Sequence, residues 1–489
     1  MGRHHKIVLD TTGLDRRASG YYSTPDFVSK YISTKLLQLN PKAKAVFDPC
    51  VGQGELTMPF KGCGVHCSGM DIIDWNASGL DSFEKNDFIK FYIENTRSDL
   101  FSSDRFIDAD LIVANPPYNC HETDYIRDNK PALIAKFGKG GVLNMYSMFI
   151  AALIKMAKPG TFLGFITLDS FLTARGHEEL RSLIREECCV HYLHLAPTDL
   201  FRSQGADVRT TIIILEKARR PNLIARTSNR PSTVAEFKKL LDGDHFVEAK
   251  QNDLYLEGPS DRGEMVIGVS KDILSLFDLP RLGELFPCIT GISTGDDAKY
   301  LSPTKNGKFS IPFYKNPGSK RFRVEPNAYL TEDFLEISKT VKNFMVRNKQ
   351  YLYHGGITCS SMGVAFTAAY LPDGAAVGVN ANIIVDDSDR WWLIAYLNSS
   401  LCTYLVRSIL IRSNMITAGY VARIPVPSLN DKAKQQLGDA AKSAYESNSP
   451  SQTTMSLKII DSIIFETLAI SSNTLRDIEE FASDLIRRT

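Results

Sequence analysis

Up to residue 215 the chain alternates two kinds of segment, and this alternation narrows the possible folds more than any other feature. Short β-branched or apolar runs at 45–48, 65–70, 110–114, 161–167 and 210–215 read as strands. Between them, 146–157 repeats apolar residues at helical spacing and stops at Lys158-Pro159-Gly160, and 175–187 also reads as helix. Strands interleaved with helices build a mostly parallel α/β sheet covered by helices. A chain of 489 residues is too long for one ordinary core, so further domains are expected.

After residue 217 the pattern changes. Residues 218–262 are charged, carry Pro221 and Pro231, and show little sustained β periodicity. They read as a connection with a helical excursion at 234–241. From about residue 272 short strands lie between turns, with helices expected at 390–410, 430–448 and 473–488, which is an α+β pattern. The expected divisions are 1–225, a connecting segment 226–265, and 266–489. No internal repeat or low-complexity tract is visible.

The chemistry concentrates where the strand at 110–114 ends. Leu111-Ile112-Val113-Ala114 suits a buried strand and runs into Asn115-Pro116-Pro117-Tyr118. Two prolines stop regular pairing, and the segment gathers an amide, fixed backbone carbonyls and an aromatic ring. In open α/β sheets the carboxyl ends of strands are where ligands bind. An exocyclic amine on a planar ring needs acceptors for its hydrogens and a surface to stack on, and these residues supply both.

Upstream, Asp48-Pro49-Cys50-Val51-Gly52-Gln53-Gly54-Glu55 is an acidic turn with glycines at i and i+2. Such a loop admits a ligand close to the backbone. It lacks the Gly-Lys-Ser/Thr of a phosphate loop, and Asp48 favours a cationic ligand over a phosphate. Asp71 follows the next strand at the position where a carboxylate holds ribose hydroxyls. Asp87-Phe88 offers a further carboxylate and ring. A packing turn and solvated turn acids are the bland alternatives.

The net charge of +1 excludes a polycationic chain, so any nucleic-acid surface must be local. Arg219, Arg220, Arg226 and Arg230 form one basic cluster; Lys315, Lys320, Arg321 and Arg323 near Tyr314 form another; Arg407 and Arg412 form a third. Each is a candidate for phosphate contacts. Nine cysteines lack framework or zinc spacing and read as free thiols of a reducing compartment. The polar start carries no signal-peptide pattern, and no run reaches the ~18 apolar residues of a membrane span. The expected location is cytoplasmic.

Taken together, the blocks resemble an S-adenosylmethionine-dependent DNA adenine N6-methyltransferase of the gamma arrangement, as found in restriction–modification systems. Tyr22-Ser23-Thr24-Pro25 with the following amphipathic helix resembles the block closing over the cofactor, and Tyr22 and Thr24 would touch it. Asp48, Pro49, Cys50, Gly52 and Gly54 resemble the cofactor loop. Asp71 with Ile72, and Asp87 with Phe88, resemble the ribose and adenine contacts. Asn115-Pro116-Pro117-Tyr118 resembles the catalytic block, with Asn115 also bordering the cofactor. Asn144-Met145-Tyr146, Lys158-Pro159-Gly160 and Ser170-Phe171-Leu172 resemble the blocks that follow. Phe201 with Val208-Arg209-Thr210 resembles the block giving a second aromatic wall. Leu282-Gly283-Glu284, 291–295 and Leu397-Asn398-Ser399 resemble the recognition region more loosely.

The resemblance implies a Rossmann-like sheet, mostly parallel with an antiparallel strand, followed by an α+β DNA-recognition domain. It implies that Asn115 and Pro116 accept the amine hydrogens of a flipped adenine while Tyr118 and Phe201 sandwich its ring. The implied partners are duplex DNA and a separately encoded restriction endonuclease, with the enzyme a monomer or dimer and no membrane or metal involved. The same block also serves methylation of RNA bases or of a protein glutamine amide, and the long second region favours DNA. A non-catalytic subunit with a dead cofactor fold is a further alternative, against which the intact Asn115, Asp71 and glycine loop speak. No Pro-Asp…Glu-x-Lys pattern suggests an attached nuclease, and the residues before Tyr21 are too few to hold one.

Overall fold

The computed structural model describes residues 21–96, 106–118, 124–138, 144–206, 208–243, 246–411, 415–447 and 449–485. The chain divides into two compact units. One comprises Met1–Glu257 with Arg262–Val269, and the other Gly258–Asp261 with Ser270–Thr489.

The first unit is built on nine strands: β1 (Ala45–Asp48), β2 (His66–Asp71), β3 (Ser82–Lys85), β4 (Leu111–Ala114), β5 (Phe162–Leu168), β6 (Cys189–Leu195), β7 (Thr210–Glu216), β8 (Ile224–Ser228) and β9 (Val247–Lys250). Their order is β3-β2-β1-β4-β5-β7-β6-β8-β9. β1 pairs in parallel with both β2 and β4, and β4 with β5. β7 runs antiparallel between β5 and β6. The expected Rossmann-like sheet is therefore observed: mostly parallel, with β7 and the edge strand β9 antiparallel.

Sequence explains the central strands directly. All four residues of β4 and all seven of β7 are buried, as apolar and β-branched runs inside a covered sheet must be. Helix α1 (Asp26–Leu39) packs on β5, with Val28, Ile32 and Leu36 wholly buried. It fixes the segment just before it, 21–25, over the strand ends. The strand order reverses between β1 and β4, and at such a switch point the loops following the strands part to leave a crevice. Asp48 ends β1 and Asn115 follows β4, so the fold itself brings them to that crevice.

One expectation is corrected. Residues 226–265 are not a connecting segment. β8 joins the sheet parallel to β6, helix 234–243 follows where an excursion was expected, and β9 closes the edge antiparallel to β8. The period-2 pattern is hidden because β9, at the sheet's edge, has no buried residue and β8 buries two adjacent ones, Thr227 and Ser228. The exposed positions mix apolar Ile224 and Val247 with charged residues, and Arg226 faces Glu248 across the pair.

The second unit is α+β, as its pattern suggests. One four-stranded antiparallel sheet takes Cys288–Ile289, Asn382–Ile384, Gly356–Cys359 and Ala368–Leu371 in that order. A mixed four-stranded sheet takes Leu301–Ser302, Ala328–Thr331, Phe309–Tyr314 and Ala376–Val377, the last two paired in parallel. The helix expected at 390–410 is two pieces, Asp387–Leu397 and Ser400–Tyr404, the latter running into a π-helical turn at Leu405–Leu410. Asn398 makes the break: its amide exchanges hydrogen bonds with the backbone of Ala368, and Ser399 caps the next piece through Cys402. Among the described residues no single helix is long and apolar enough to cross a membrane. Sequence reading missed the helix Pro450–Thr467, although Ser449 as N-cap and proline at its first position mark its start.

Candidate active site

The loop after β1 is shaped by two glycines whose positions crowd out a side chain. Gly52 and Gly54 both have positive φ, +53° and +92°. A Cβ on Gly52 would lie 2.5 Å from the Tyr21 ring, and one on Gly54 would lie 2.5 Å from the carbonyl of Ser78. The loop is tied to its neighbours by acids. Cys50 N donates to Asp48 Oδ1 (3.0 Å), Gly52 N to Asp71 Oδ2 (3.0 Å), and Ile73 N to Asp71 Oδ1 (3.0 Å).

Asp48 is only 1% exposed, and burial pushes its carboxyl up to about 8, with the charges of Asp71 and Glu55 adding to the effect and the Cys50 hydrogen bond opposing it. Burial also raises the Asp71 carboxyl, against the hydrogen bonds it accepts. Three acids around a tight glycine loop fit a ligand that is cationic and carries hydroxyls. They do not fit a phosphate. Ile72 is 61% exposed at the end of β2, an apolar face beside the loop.

Segment 21–24 closes over this loop. Tyr21 stacks on Trp75 (centroids 4.8 Å apart) and donates to Glu55 Oε1 (2.5 Å), to which Ser23 Oγ also donates (2.6 Å). Gln204 brackets the Ser23 backbone, accepting from its N–H at 2.8 Å and donating to its carbonyl at 2.7 Å. Sequence reading gave no role to Glu55, Trp75 or Gln204. Glu55 adjoins the glycine pair, which is a signal of a kind; the other two carry none, because they meet the segment only in the fold. A cleft lined by Ser23, Thr24, Gln53, Gly54, Glu55 and Gln204 opens beside this network.

Asn115 is half-buried. Its Nδ2 donates to the carbonyl of Tyr22 (2.8 Å) and to Thr24 Oγ1 (3.0 Å). No described residue donates to its Oδ1. Pro116 is buried and Pro117 half-buried behind it. Tyr118 is 8% exposed, and its hydroxyl has no hydrogen-bond partner among the described residues; burial holds that phenol well above its ordinary range.

The two rings expected to face each other across a base do come together, but edge to face. Tyr118 and Phe201 have centroids 6.0 Å apart at 80°, and Phe201 is wholly buried. Tyr22 lies along the Tyr118 face at 5.6 Å and 21°, and meets Phe201 at 6.1 Å. Stacked and T-shaped pairs are what ring quadrupoles favour, and the three rings bury one another.

The remaining expected cofactor pair is partly corrected. Asp87 caps helix α2 (Phe88–Asn95), accepting from Ile89 N (3.0 Å) and Lys90 N (3.2 Å). The Phe88 ring is 1% exposed and packs between Phe47 and Phe149, so it offers no face to a ligand. It is an apolar residue at the first turn of a helix lying on the sheet, and its backbone stays near Asp87.

Most of the basic clusters serve the fold. Arg230 is 6% exposed, pairs with Asp169, and donates to the carbonyl of Ala196. Arg220 pairs with Glu216, and Arg226 donates to the Tyr192 hydroxyl at 3.2 Å. In the second unit Lys315 pairs with Asp297, Arg321 donates to the Asn398 carbonyl (2.7 Å), Arg323 pairs with Glu325, and the buried Arg407 donates to Val364 O (2.9 Å). Arg219 and Lys320 stay exposed; Arg412 lies outside the described residues.

Residues 70–201 match the model of the Eco57I restriction-modification methylase family. They form part of a methylase domain of restriction–modification type. The cofactor of such a domain is S-adenosylmethionine. The Type II methyltransferase M.BanIII of Aneurinibacillus aneurinilyticus is 24% identical over 225 residues, which are 40% of this chain and 38% of the relative. The match thus spans well under half of that relative's length. The fold of the Type IIL restriction-modification enzyme MmeI, solved in complex with DNA, is similar over 98% of this chain and 80% of that one at 12% identity (TM-score 0.57). That of a nuclease-deletion mutant of the Type ISP restriction-modification enzyme LlaGI, solved with a DNA substrate mimic, is similar over 87% of this chain and 47% of that one at 12% identity (TM-score 0.53).

Proposed function

We propose that the chain methylates the N6 amine of an adenine flipped out of duplex DNA, with S-adenosylmethionine as the methyl donor. The observation that carries this reading is the state of Asn115. Both hydrogens of its amide nitrogen are engaged by Tyr22 O and Thr24 Oγ1, which leaves Oδ1 as an acceptor at the sheet's switch point. Among aromatic amines of nucleic acid, that of adenine is a poor nucleophile, because its lone pair is delocalised into the ring. Asn115 Oδ1 and the Pro116 carbonyl would accept its two hydrogens and draw the nitrogen toward tetrahedral geometry. S-adenosylmethionine, when bound, supplies an electrophilic methyl group. The chain's own contribution is positioning and fixed dipoles.

Asp48, Gly52, Gly54, Asp71 and Ile72 would hold the cofactor: acids toward its cationic and hydroxyl groups, bare backbone where it comes close, and an apolar face for its base. The carboxylate of Asp87 and the backbone beside it, without the Phe88 ring, complete the set. Tyr118 and Phe201 would receive the flipped base, for which the Tyr22 ring must give way; each stacked ring is worth about 1–3 kcal/mol in comparable settings. The second unit would hold the duplex and select its sequence, supported by a fold similar over nearly the whole chain to enzymes solved with DNA. A cognate endonuclease encoded separately fits this setting.

The test is incubation with labelled S-adenosylmethionine and duplex DNA, RNA or protein in parallel. Label is expected in DNA adenine, and Asn115→Ala should lower transfer at least about a hundredfold while cofactor affinity survives. Label entering RNA or protein instead would move the substrate, and near-normal turnover in the variant would remove Asn115 from catalysis.

A further inference from the structure

Thr24 was expected to touch the cofactor; the residue is 5% exposed, and its hydroxyl lies 3.0 Å from Asn115 Nδ2. The other hydrogen of that nitrogen is held by the Tyr22 carbonyl at 2.8 Å. A carbonyl can only accept, so the amide nitrogen must face it and cannot trade places with its oxygen. The two acceptors therefore fix which way the carboxamide points. They also polarise it: hydrogen bonds donated by an amide nitrogen push electron density onto its oxygen and make that oxygen a stronger acceptor.

The acceptors are themselves held. Ser23, between them, is bracketed by Gln204 and donates to Glu55, while Thr24 precedes Pro25 and helix α1. The segment is rigid where the amide needs a fixed reference.

We propose that Thr24 is a positioning residue for methyl transfer: its hydroxyl orients and polarises the Asn115 carboxamide so that Oδ1 meets the target amine. This rests on the adenine reading given above. Because the effect lies on the reacting base, it belongs in kcat and leaves cofactor affinity alone.

The experiment compares the native full chain with Thr24→Val, which keeps the shape and loses the hydroxyl, and Thr24→Ser, which keeps the hydroxyl. Turnover on duplex DNA is measured at saturating S-adenosylmethionine, and affinity for S-adenosylhomocysteine by calorimetry. A second readout needs no turnover: the side-chain amide resonances of Asn115 in asparagine-¹⁵N-labelled protein, assigned with Asn115→Asp. Thr24→Val should lower kcat about tenfold, the worth of one neutral hydrogen bond, with unchanged affinity. It should also shift one Nδ2 proton upfield, and Thr24→Ser should restore both. Native kcat in Thr24→Val, equal loss in both variants, or a loss confined to cofactor affinity would overturn the proposal. A native protein that methylates no DNA would instead refute the adenine reading, and the resonance would then decide by itself whether Thr24 holds the amide.

Discussion

Asp48 carries the site's clearest dependence on pH. Its ordinary value is 3.8, and burial raises it to about 8 in the folded chain. The folded state therefore binds a proton that the unfolded chain has lost across this window. The stability this group contributes is full below about pH 4 and is lost as pH rises through 8. A cationic ligand beside Asp48 reverses the preference, because it favours the carboxylate. Binding of S-adenosylmethionine should release a proton at pH 7 and tighten about tenfold per pH unit between pH 6 and 8. Calorimetry in two buffers of different ionisation enthalpy reads the proton; its absence, or an affinity that is flat with pH, would contradict this. At this scale the sequence read Asp48, Gly52, Gly54 and Asn115 at the ends of strands, and the structure has β1 and β4, the strands they end or follow, side by side where the strand order reverses. It misjudged Phe88, because which side of a short helix turns to the sheet is decided by packing partners such as Phe149, far away in the chain.

Among the elements, the edge of the large sheet was the least legible. β8 and β9 show no clean alternation: Ile224 and Val247 are exposed, Thr227 and Ser228 are both buried, and Arg226 opposite Glu248 replaces the apolar pairs of the central strands. The apolar runs of β4 and β7, by contrast, were plain because both faces are covered. In the basic cluster after β7, Arg219 and Arg220 stay exposed, whereas Arg230 does not. Arg230 is an internal tie: with Asp169 after β5 and the Ala196 carbonyl after β6, it clamps the ends of three strands. Removing one partner of a buried pair leaves the other charge uncompensated, so Arg230→Ala should destabilise the first unit by about 3–5 kcal/mol. Chemical denaturation measures this, and a change below about 1 kcal/mol, the worth of a surface pair, would place the arginine among ordinary exposed contacts.

For the whole molecule, the fold is similar to that of MmeI over 98% of the chain, and the second compact unit, the smaller of the two, is α+β. The sequence exposed the first unit because its motifs sit at fixed strand ends. The second was legible only as α+β: its strands are two to six residues long. The proposed reaction requires an adenine amine to meet the Asn115 carboxamide. Single-molecule sequencing of DNA from cells expressing the native chain or Asn115→Ala tests this directly. N6-methyladenine in one recurring sequence context with the native chain, and none with the variant, is the predicted result. Methylated adenine at equal levels with both chains, or none above background with the native one, would contradict it.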